Sequence, residues 1–304
     1  MKDDPLPSWR DGATKTALLD FIVAARSVPV EERVAVFDND GTLWCEKPDY
    51  VQLVFMLDQL AQAIAENPAL GDQPEFRALL HHDHAAQAEL GLERIALALV
   101  QLYAGIEPGE FDERVVQFFA DGLHAHREVP YRHLRYRPML ELIEALRAES
   151  FGVFVVTGGG TEFVRAISQD FYGVSAEGVV GTLVAYDYSL DDQGRPRLVR
   201  TAEMIGSANE GPAKVSNIQR GLGRRPIFAA GNTAGDREML DYALGADGPT
   251  LALLVDHDDA DREYAYAAQA GTIDFEGDFV ELAQQSGWTV ASISDDWNHV
   301  FADR

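Results

Sequence analysis

The chain is poor in cysteine and in long apolar runs. Its 304 residues contain a single cysteine, Cys45, so no intrachain disulfide is possible, and the class of small disulfide-stapled secreted domains is excluded. No run of about 18 apolar residues occurs, and the sequence therefore predicts no membrane-spanning helix. The N-terminus has no apolar stretch after its first charges, so we expect no signal peptide and a cytoplasmic location.

Positive charge is also scarce. Lysine and arginine together number 25 against 50 aspartates and glutamates, which gives a formal net charge of −25. A surface this acidic repels polyanions, so we expect neither a nucleic-acid partner nor docking to an anionic membrane. The 46% of hydrophobic and 25% of charged residues are ordinary for a globular protein. The length fits two average domains or one large one.

Short apolar runs alternate with helical patterns along most of the chain. The runs occupy residues 34–37, 151–160, 225–232, 250–256 and 288–294, and helical periodicity covers 12–27, 138–149, 161–172, 211–222, 236–244 and 277–286. This alternation predicts an α/β fold with a Rossmann-like parallel sheet as its core and helices on both faces. Ligands of such sheets bind beyond the carboxyl ends of the strands. Asp38, Thr157 and the loop Gly231–Asp236 all fall at the ends of predicted strands.

Two stretches depart from this alternation. Residues 48–136 show helical patterns at about 50–66, 74–83, 89–103 and 110–125, with no convincing strand. We interpret 48–136 as a helical cap inserted over the crevice, which leaves 1–47 and 137–304 as the α/β core. Residues 179–200 predict a β-hairpin that turns at Asp191–Gly194.

The strongest chemical signal is the segment Asp38–Thr42, with the sequence DNDGT, at the end of the first predicted strand. Alone, two carboxylates beside a Gly are also typical of a turn or a calcium loop. Three further segments follow in order, namely Thr157 after an apolar run, Lys214 in GPAKV, and GNTAGD over Gly231–Asp236. With these four motifs the chain resembles the haloacid dehalogenase superfamily, and most closely its phosphoserine-phosphatase-like branch, which has a helical cap between the first two motifs.

The resemblance implies an Mg²⁺-dependent phosphatase that hydrolyses a small phosphorylated metabolite through an aspartyl-phosphate. A carboxylate can attack phosphorus and divide one difficult displacement into two easier ones, and Asp38, at the strand end, is the expected nucleophile. Asp40 would protonate the leaving oxygen and later take a proton from the attacking water. The negative phosphate repels a carboxylate nucleophile, so a cation must offset that charge, and oxygen ligands suit Mg²⁺.

The fourth motif departs from the pattern of the resembling phosphatases. It usually begins with Gly-Asp, and that aspartate binds the metal, but here Asn232 stands at that position and the acid follows at Asp236. An amide oxygen can bind Mg²⁺ but leaves the site one negative charge short. We therefore expect the metal to be bound by Asp38, the carbonyl of Asp40 and Asp236, with Asn232 on the metal or directly behind it.

The remaining candidate residues would bind the substrate. Lys214 would hold the nucleophile and a phosphoryl oxygen, and Thr157 would donate a hydrogen bond to another phosphoryl oxygen. The N–H groups of Gly158 and Gly159 are expected at a helix N-terminus, where backbone donors favour an anion. Glu46 lies near the place where the resembling phosphatases hold a substrate amine. Such a preset cage of charges and donors is the main source of rate in phosphoryl transfer.

Three alternatives stay open. A dehalogenase on the same fold needs no metal and no acid at the position of Asp40, so Asp40 argues against it. A phosphotransferase or phosphomutase needs the same four motifs and differs in its cap. A non-catalytic phosphate-binding protein is kept open by Asn232.

An acidic run that contains one histidine, Asp256–Asp261, follows the fourth predicted strand. Such a run could rim the crevice, although it more often caps a helix in water. The sequence therefore assigns it no role.

Overall fold

The structure is a computed structural model that describes residues 4–270, 273 and 275–302. Within this part of the chain the strands are β1 (Val34–Phe37), β2 (Gly152–Gly160), β3 (Val179–Leu190), β4 (Pro196–Ile205), β5 (Phe228–Gly231), β6 (Leu251–Asp256) and β7 (Thr289–Ser292). They form one sheet in the order β4-β3-β2-β1-β5-β6-β7. Neighbouring strands pair in parallel except β3 and β4, which are antiparallel. The predicted parallel sheet is confirmed.

Helices cover both faces of the sheet. In chain order they are α1 (Ala13–Ala24), α2 (Val51–Glu66), α3 (Pro74–Leu80), α4 (His84–Leu90), α5 (Leu92–Gln101), α6 (Pro108–Asp121), α7 (Arg137–Ala148), α8 (Thr161–Tyr172), α9 (Pro212–Leu222), α10 (Arg237–Leu244), α11 (Phe279–Gln285) and α12 (Ile293–Asp296). Apolar side chains of α1, α7 and α8 join one buried cluster, and those of α9, α10 and α11 join another. The sheet separates the two clusters.

Strand β1 shows why its sequence is apolar throughout. Val34 and Val36 pack into the cluster on one face, whereas Ala35 and Phe37 pack into the cluster on the other. All four side chains have no exposed surface. Successive residues of a strand point to opposite faces, so a strand that is covered on both sides must be continuously apolar. The chain becomes polar at Asp38, directly beyond the end of the strand.

Residues between β1 and α7 form the helices α2–α6 and, within the described residues, no strand. The predicted helix over 89–103 is wrong in one respect, because α4 and α5 are separate helices. The break falls at Gly91, whose φ of 82° lies in the region that favours glycine. The helices share a small apolar core of their own that includes Leu60, Phe76 and Leu99.

The predicted hairpin over 179–200 is confirmed, and it is also part of the main sheet. The first half of β3 pairs in parallel with β2, where Val179 lies opposite Val155. Its second half pairs with β4, and Leu190 lies opposite Pro196 across the turn. The backbone of Arg200 on β4 exchanges hydrogen bonds of 2.8 and 2.9 Å with Gly105 and Ile106, between α5 and α6. The hairpin therefore connects the sheet to the inserted helices.

In the described residues no helix combines the length and the apolar composition that crossing a bilayer requires.

Candidate active site

A cavity of about 230 Å³ opens beyond the carboxyl ends of β1, β2 and β5. Seven of the residues predicted from the sequence line this cavity, namely Asp38, Asp40, Glu46, Gly158, Gly159, Lys214 and Asn232. The other two, Thr157 and Asp236, are 0% and 1% exposed and lie behind the lining residues. The structure therefore brings all four sequence motifs to one place.

Lys214 joins three of these motifs. It lies in the first turn of α9, and its Nζ donates to Asp38 Oδ1 at 2.5 Å, to Asp236 Oδ1 at 2.6 Å and to the carbonyl of Val156 at 3.0 Å. Burial alone would lower the pKa of Lys214, but the charges of Asp236 and Asp38 outweigh burial and raise this pKa above its usual range. The ammonium group is therefore a fixed positive charge directly beside Asp38.

Asp38 is held independently of the rest of its loop. Its N–H donates to the carbonyl of Ala230 on β5 at 2.9 Å, and its carboxylate is bound by Lys214. Burial and the charge of Asp236 raise the pKa of Asp38, while Lys214 opposes that rise. A carboxylate oxygen that is fixed at the strand end and lines the cavity is suitably placed for a nucleophile.

Asp236 uses both of its oxygens inside the protein. Oδ1 binds Lys214, and Oδ2 accepts from the N–H groups of Asn232 and Thr233 at 3.0 and 3.1 Å. This geometry differs from the expectation that Asp236 binds the metal directly. It favours Asp236 as the group that holds Lys214 and shapes the loop after β5. The ligand set itself stays a prediction.

Asn232 lines the cavity, whereas Asp236 does not. Its Oδ1 accepts from Thr42 at 3.4 Å, and its Nδ2 donates to Glu46 Oε1 at 3.3 Å. Gly41 makes this contact possible. A Cβ at Gly41 would lie 1.9 Å from Asn232 Nδ2, and the φ of 72° there also favours glycine. The glycine of the DNDGT segment therefore allows the first and fourth motifs to touch.

Asp40 is half-buried at the cavity wall. Its Oδ1 accepts from the indole N–H of Trp44 at 2.8 Å, and its Oδ2 lies 3.4 Å from the side-chain Nδ2 of Asn39. Burial raises the pKa of Asp40 to about 6, although the Trp44 hydrogen bond acts against that rise. A carboxyl group with such a pKa can hold and return a proton near neutral pH.

The glycines after Thr157 are placed differently from the expectation. Strand β2 continues to Gly160 and α8 begins at Thr161, so Gly158 and Gly159 precede the helix N-terminus rather than form it. The N–H of Gly159 donates to Thr157 Oγ1 at 3.0 Å. A Cβ at Gly158 would lie 2.9 Å from Glu210 Oε1. The absence of a side chain at Gly158 therefore allows Glu210 to lie close to the strand end.

Several lining residues carry no signal in the sequence. Glu210 precedes the Gly-Pro start of α9, and burial raises its pKa. Gln52 of α2 accepts from the N–H of Gly160 at 2.8 Å. Such residues could only have been found through the contacts between distant segments.

The acidic run after β6 is also different from a solvated helix cap, because His257 is 4% exposed and binds the DNDGT loop.

The donors at the cavity suit Mg²⁺. Among the described residues no group of three or more His, Cys, Asp or Glu side chains is arranged to hold a metal. The cavity instead combines the carboxylate of Asp38 with the amide of Asn232, next to Asp40. Mg²⁺ is usually bound by one or two carboxylates together with water and substrate phosphate. This mixed set of oxygen donors fits that preference.

The sheet order, with the cavity at its carboxyl edge, defines a Rossmann-like α/β protein. The family model of haloacid dehalogenase-like hydrolases matches residues 35–241. The chain therefore belongs to the haloacid dehalogenase-like family of hydrolases, as the four motifs predicted.

The chain is similar to several solved structures. A conserved protein of unknown function from Anaerococcus prevotii aligns with a TM-score of 0.50 at 13% identity, over 91% of both chains. A protein of unknown function from Bordetella pertussis aligns at 0.49 and 19% identity, over 85% of this chain and 97% of its own. A probable phosphoserine phosphatase from Vibrio cholerae aligns at 0.42 and 15% identity, over 81% and 65%. No curated protein matches the chain.

Proposed function

We propose that this protein is an Mg²⁺-dependent phosphatase that hydrolyses a small phosphomonoester through an aspartyl-phosphate on Asp38. The supporting observation is that Asp38, fixed against Lys214, shares one cavity with the half-buried acid Asp40. This pairing supplies a nucleophile and a general acid side by side. Family membership supports the hydrolase class.

In the first step one Oδ of Asp38 attacks phosphorus and forms a carboxyl–phosphate bond. The ester P–O bond breaks, and its electron pair goes to the leaving oxygen. Asp40 gives its proton to that oxygen, so the alcohol leaves neutral and Asp40 becomes a carboxylate. A pKa of about 6 leaves a fraction of Asp40 protonated near neutral pH.

In the second step water attacks the phosphorus of the aspartyl-phosphate. Asp40 accepts one proton from that water, the bond to the Asp38 oxygen breaks, and inorganic phosphate is released. Asp38 returns as a carboxylate and Asp40 as an acid, so the cycle closes without any other reactant.

Lys214 offsets the charge of Asp38 and of the transferred phosphoryl group, and Asp236 keeps Lys214 in place. Thr157 and the two glycines after it shape the strand end that receives the phosphoryl oxygens. Mg²⁺, when bound, supplies further positive charge against the phosphate. The residues that would hold it are Asp38 and Asn232 with the carbonyl of Asp40.

The inserted residues 48–136 serve as a cap in this proposal. Gln52, Leu53 and Met56 of α2 form part of the cavity wall, so this helix covers one side of the site that the sheet provides. Glu46 lies at the wall as well and is 2% exposed, which suits a contact with the leaving group. A cavity of about 230 Å³ suits a small metabolite.

Phosphate release from a panel of phosphorylated metabolites tests the proposal, with Mg²⁺ or with excess chelator. We expect Mg²⁺-dependent release by the wild type and none by Asp38→Asn, which is nearly isosteric. Asp192→Asn, in the exposed hairpin turn, is the matched control and should retain full activity. Dehalogenation that persists in chelator would favour the dehalogenase alternative. Phosphate found on an acceptor alcohol, rather than free, would indicate a phosphotransferase.

A further inference from the structure

A buried histidine holds the DNDGT loop from outside the four motifs. His257 follows β6 directly and is 4% exposed. Its Nε2 lies 2.7 Å from the carbonyl oxygen of Gly41, and its Nδ1 lies 3.1 Å from Glu263 Oε2. The imidazole also stacks on the ring of Tyr266, with the centroids 4.3 Å apart. This ring is therefore fixed in both position and direction.

The hydrogen-bonding partners of the His257 imidazole indicate which ring nitrogen carries a hydrogen. The carbonyl of Gly41 can only accept, so Nε2 must donate. Glu263 in turn accepts from the hydroxyl of Tyr136 at 2.9 Å and from the N–H of Tyr264 at 2.6 Å, as a carboxylate does. Burial alone would raise the pKa of Glu263, but its hydrogen bond with His257 contributes to a net lowering. Nε2 of His257 therefore donates to the Gly41 carbonyl, and Nδ1 lies against the Glu263 carboxylate.

Gly41 needs such an external restraint because glycine adopts many backbone conformations. Its N–H donates to the carbonyl of Trp44 at 2.9 Å, and its own carbonyl is bound by His257. Asp40 shares a peptide unit with Gly41, and the side chain of Trp44 binds the Asp40 carboxyl. Gly41 therefore connects His257 with Asp40, both through the peptide unit that it shares with Asp40 and through Trp44.

Asp38 does not depend on this restraint to the same degree. Its backbone is bound to β5 and its carboxylate to Lys214, as described above. Loss of the His257 contact should consequently disturb the acid Asp40 more than the nucleophile.

We propose that His257 and Glu263 are positioning residues, which fix the Gly41 carbonyl and thereby direct the Asp40 carboxyl at the leaving oxygen. This inference rests on the proposed phosphatase function. Glu263 orients the imidazole, and the imidazole orients the loop. Neither side chain lines the cavity.

The test compares kcat/KM for two phosphomonoesters that differ in their need for an acid. p-Nitrophenyl phosphate has a leaving group that departs without a proton, whereas the alkoxide of glycerol 2-phosphate needs one. Asp40→Asn removes the acid entirely and therefore gives the largest difference between the two esters. Its loss of kcat/KM should be about 100-fold or more greater for the alkyl ester. Asp261→Asn, exposed on the same segment, is the matched control.

We expect His257→Leu to lower kcat/KM for glycerol 2-phosphate about 10-fold more than for p-nitrophenyl phosphate, part of the effect of a general acid. His257→Gln keeps a donor for Gly41 and should recover most of the kcat/KM that His257→Leu loses on glycerol 2-phosphate. Glu263→Gln, which keeps the acceptor and removes the charge, should give a smaller difference of the same sign and covers the case in which His257→Leu does not fold.

Equal losses on the two esters, or no loss, would overturn the inference, because a merely structural role lowers both rates together. A wild-type protein that hydrolyses neither ester nor any member of the metabolite panel would contradict the proposed function itself. The two failures are therefore distinguishable.

Discussion

Replacing Lys214 by Met should destabilise the fold as well as abolish turnover. The Lys214 ammonium lies 2.5 and 2.6 Å from carboxylate oxygens of Asp38 and Asp236. Lys214 and Asp236 are 2% and 1% exposed, so water reaches the Asp236 carboxylate poorly after the cation is lost. Methionine has a similar volume and leaves two neighbouring buried carboxylates without their counter-charge.

The size of this effect follows from the burial of the partners. Removing one member of a buried ion pair costs about 3–5 kcal/mol, because an uncompensated charge remains inside. For a domain of 150–250 residues, each kcal/mol shifts the melting temperature by about 2–4 °C. We therefore expect Lys214→Met to melt roughly 6–20 °C below the wild type.

Lys15 provides a matched control for this prediction. It is also buried and also lies between two aspartates, at 2.6 Å from Asp4 and 3.0 Å from Asp11. Their side chains are 46% and 97% exposed, so water rehydrates them after the lysine is removed. Lys15→Met should cost about 1 kcal/mol or less.

Thermal unfolding and phosphate release are measured on both variants and on the double variant Lys214→Met with Asp236→Asn. The double variant should recover part of the lost stability, because one buried charge is gone, without recovering activity. If Lys214→Met is no less stable than Lys15→Met, the ion cluster does not have the energetic role assigned to it.

Three further predictions follow from the site. Gly41→Ala should lower both stability and activity, because its Cβ would lie 1.9 Å from Asn232 Nδ2. Gly194→Ala is the control, since Gly194 also has a positive φ but has open space around it, and this change should cost only about 1 kcal/mol in thermal unfolding. Asn232→Asp should lower the Mg²⁺ concentration at half-maximal rate and reduce stability in chelator, because the new carboxylate would lie close to Glu46; an unchanged Mg²⁺ dependence would place Asn232 away from the metal. Asp236→Asn should lower the rate with little change in the Mg²⁺ requirement, and a steep rise in that requirement would make Asp236 a direct ligand.

Much of the core could be predicted from the sequence because its signals are local. Strand β1 is buried on both faces, so Val34–Phe37 must be apolar, and the change to polarity at Asp38 marks the strand end. Lysine is scarce in this chain, so Lys214 in GPAKV is distinctive in the sequence alone. Parallel strands place their carboxyl ends at one edge, which brings these residues together.

The features that the sequence does not show depend on backbone dihedral angles and on contacts between segments of the chain. The break at Gly91 divides a pattern that looks continuous in apolar periodicity, because a glycine inside a helical pattern does not reveal its φ. Asp236 is bound by two backbone N–H groups and by Lys214, contacts that the motif alone does not show, and its place in the ligand set stays a prediction. His257 resembled part of a solvated acidic run, and only the fold places it against Gly41, 216 residues away.

The most direct measurement is to locate the covalent intermediate. The wild type is mixed with p-nitrophenyl phosphate and Mg²⁺, quenched in acid and treated with borohydride, which reduces an acyl-phosphate to the alcohol. Peptide mass mapping then locates the reduced residue. The account predicts reduction at Asp38, dependent on substrate and Mg²⁺. Phosphate release that proceeds with Asp38 unmodified, or with another residue reduced, would contradict it.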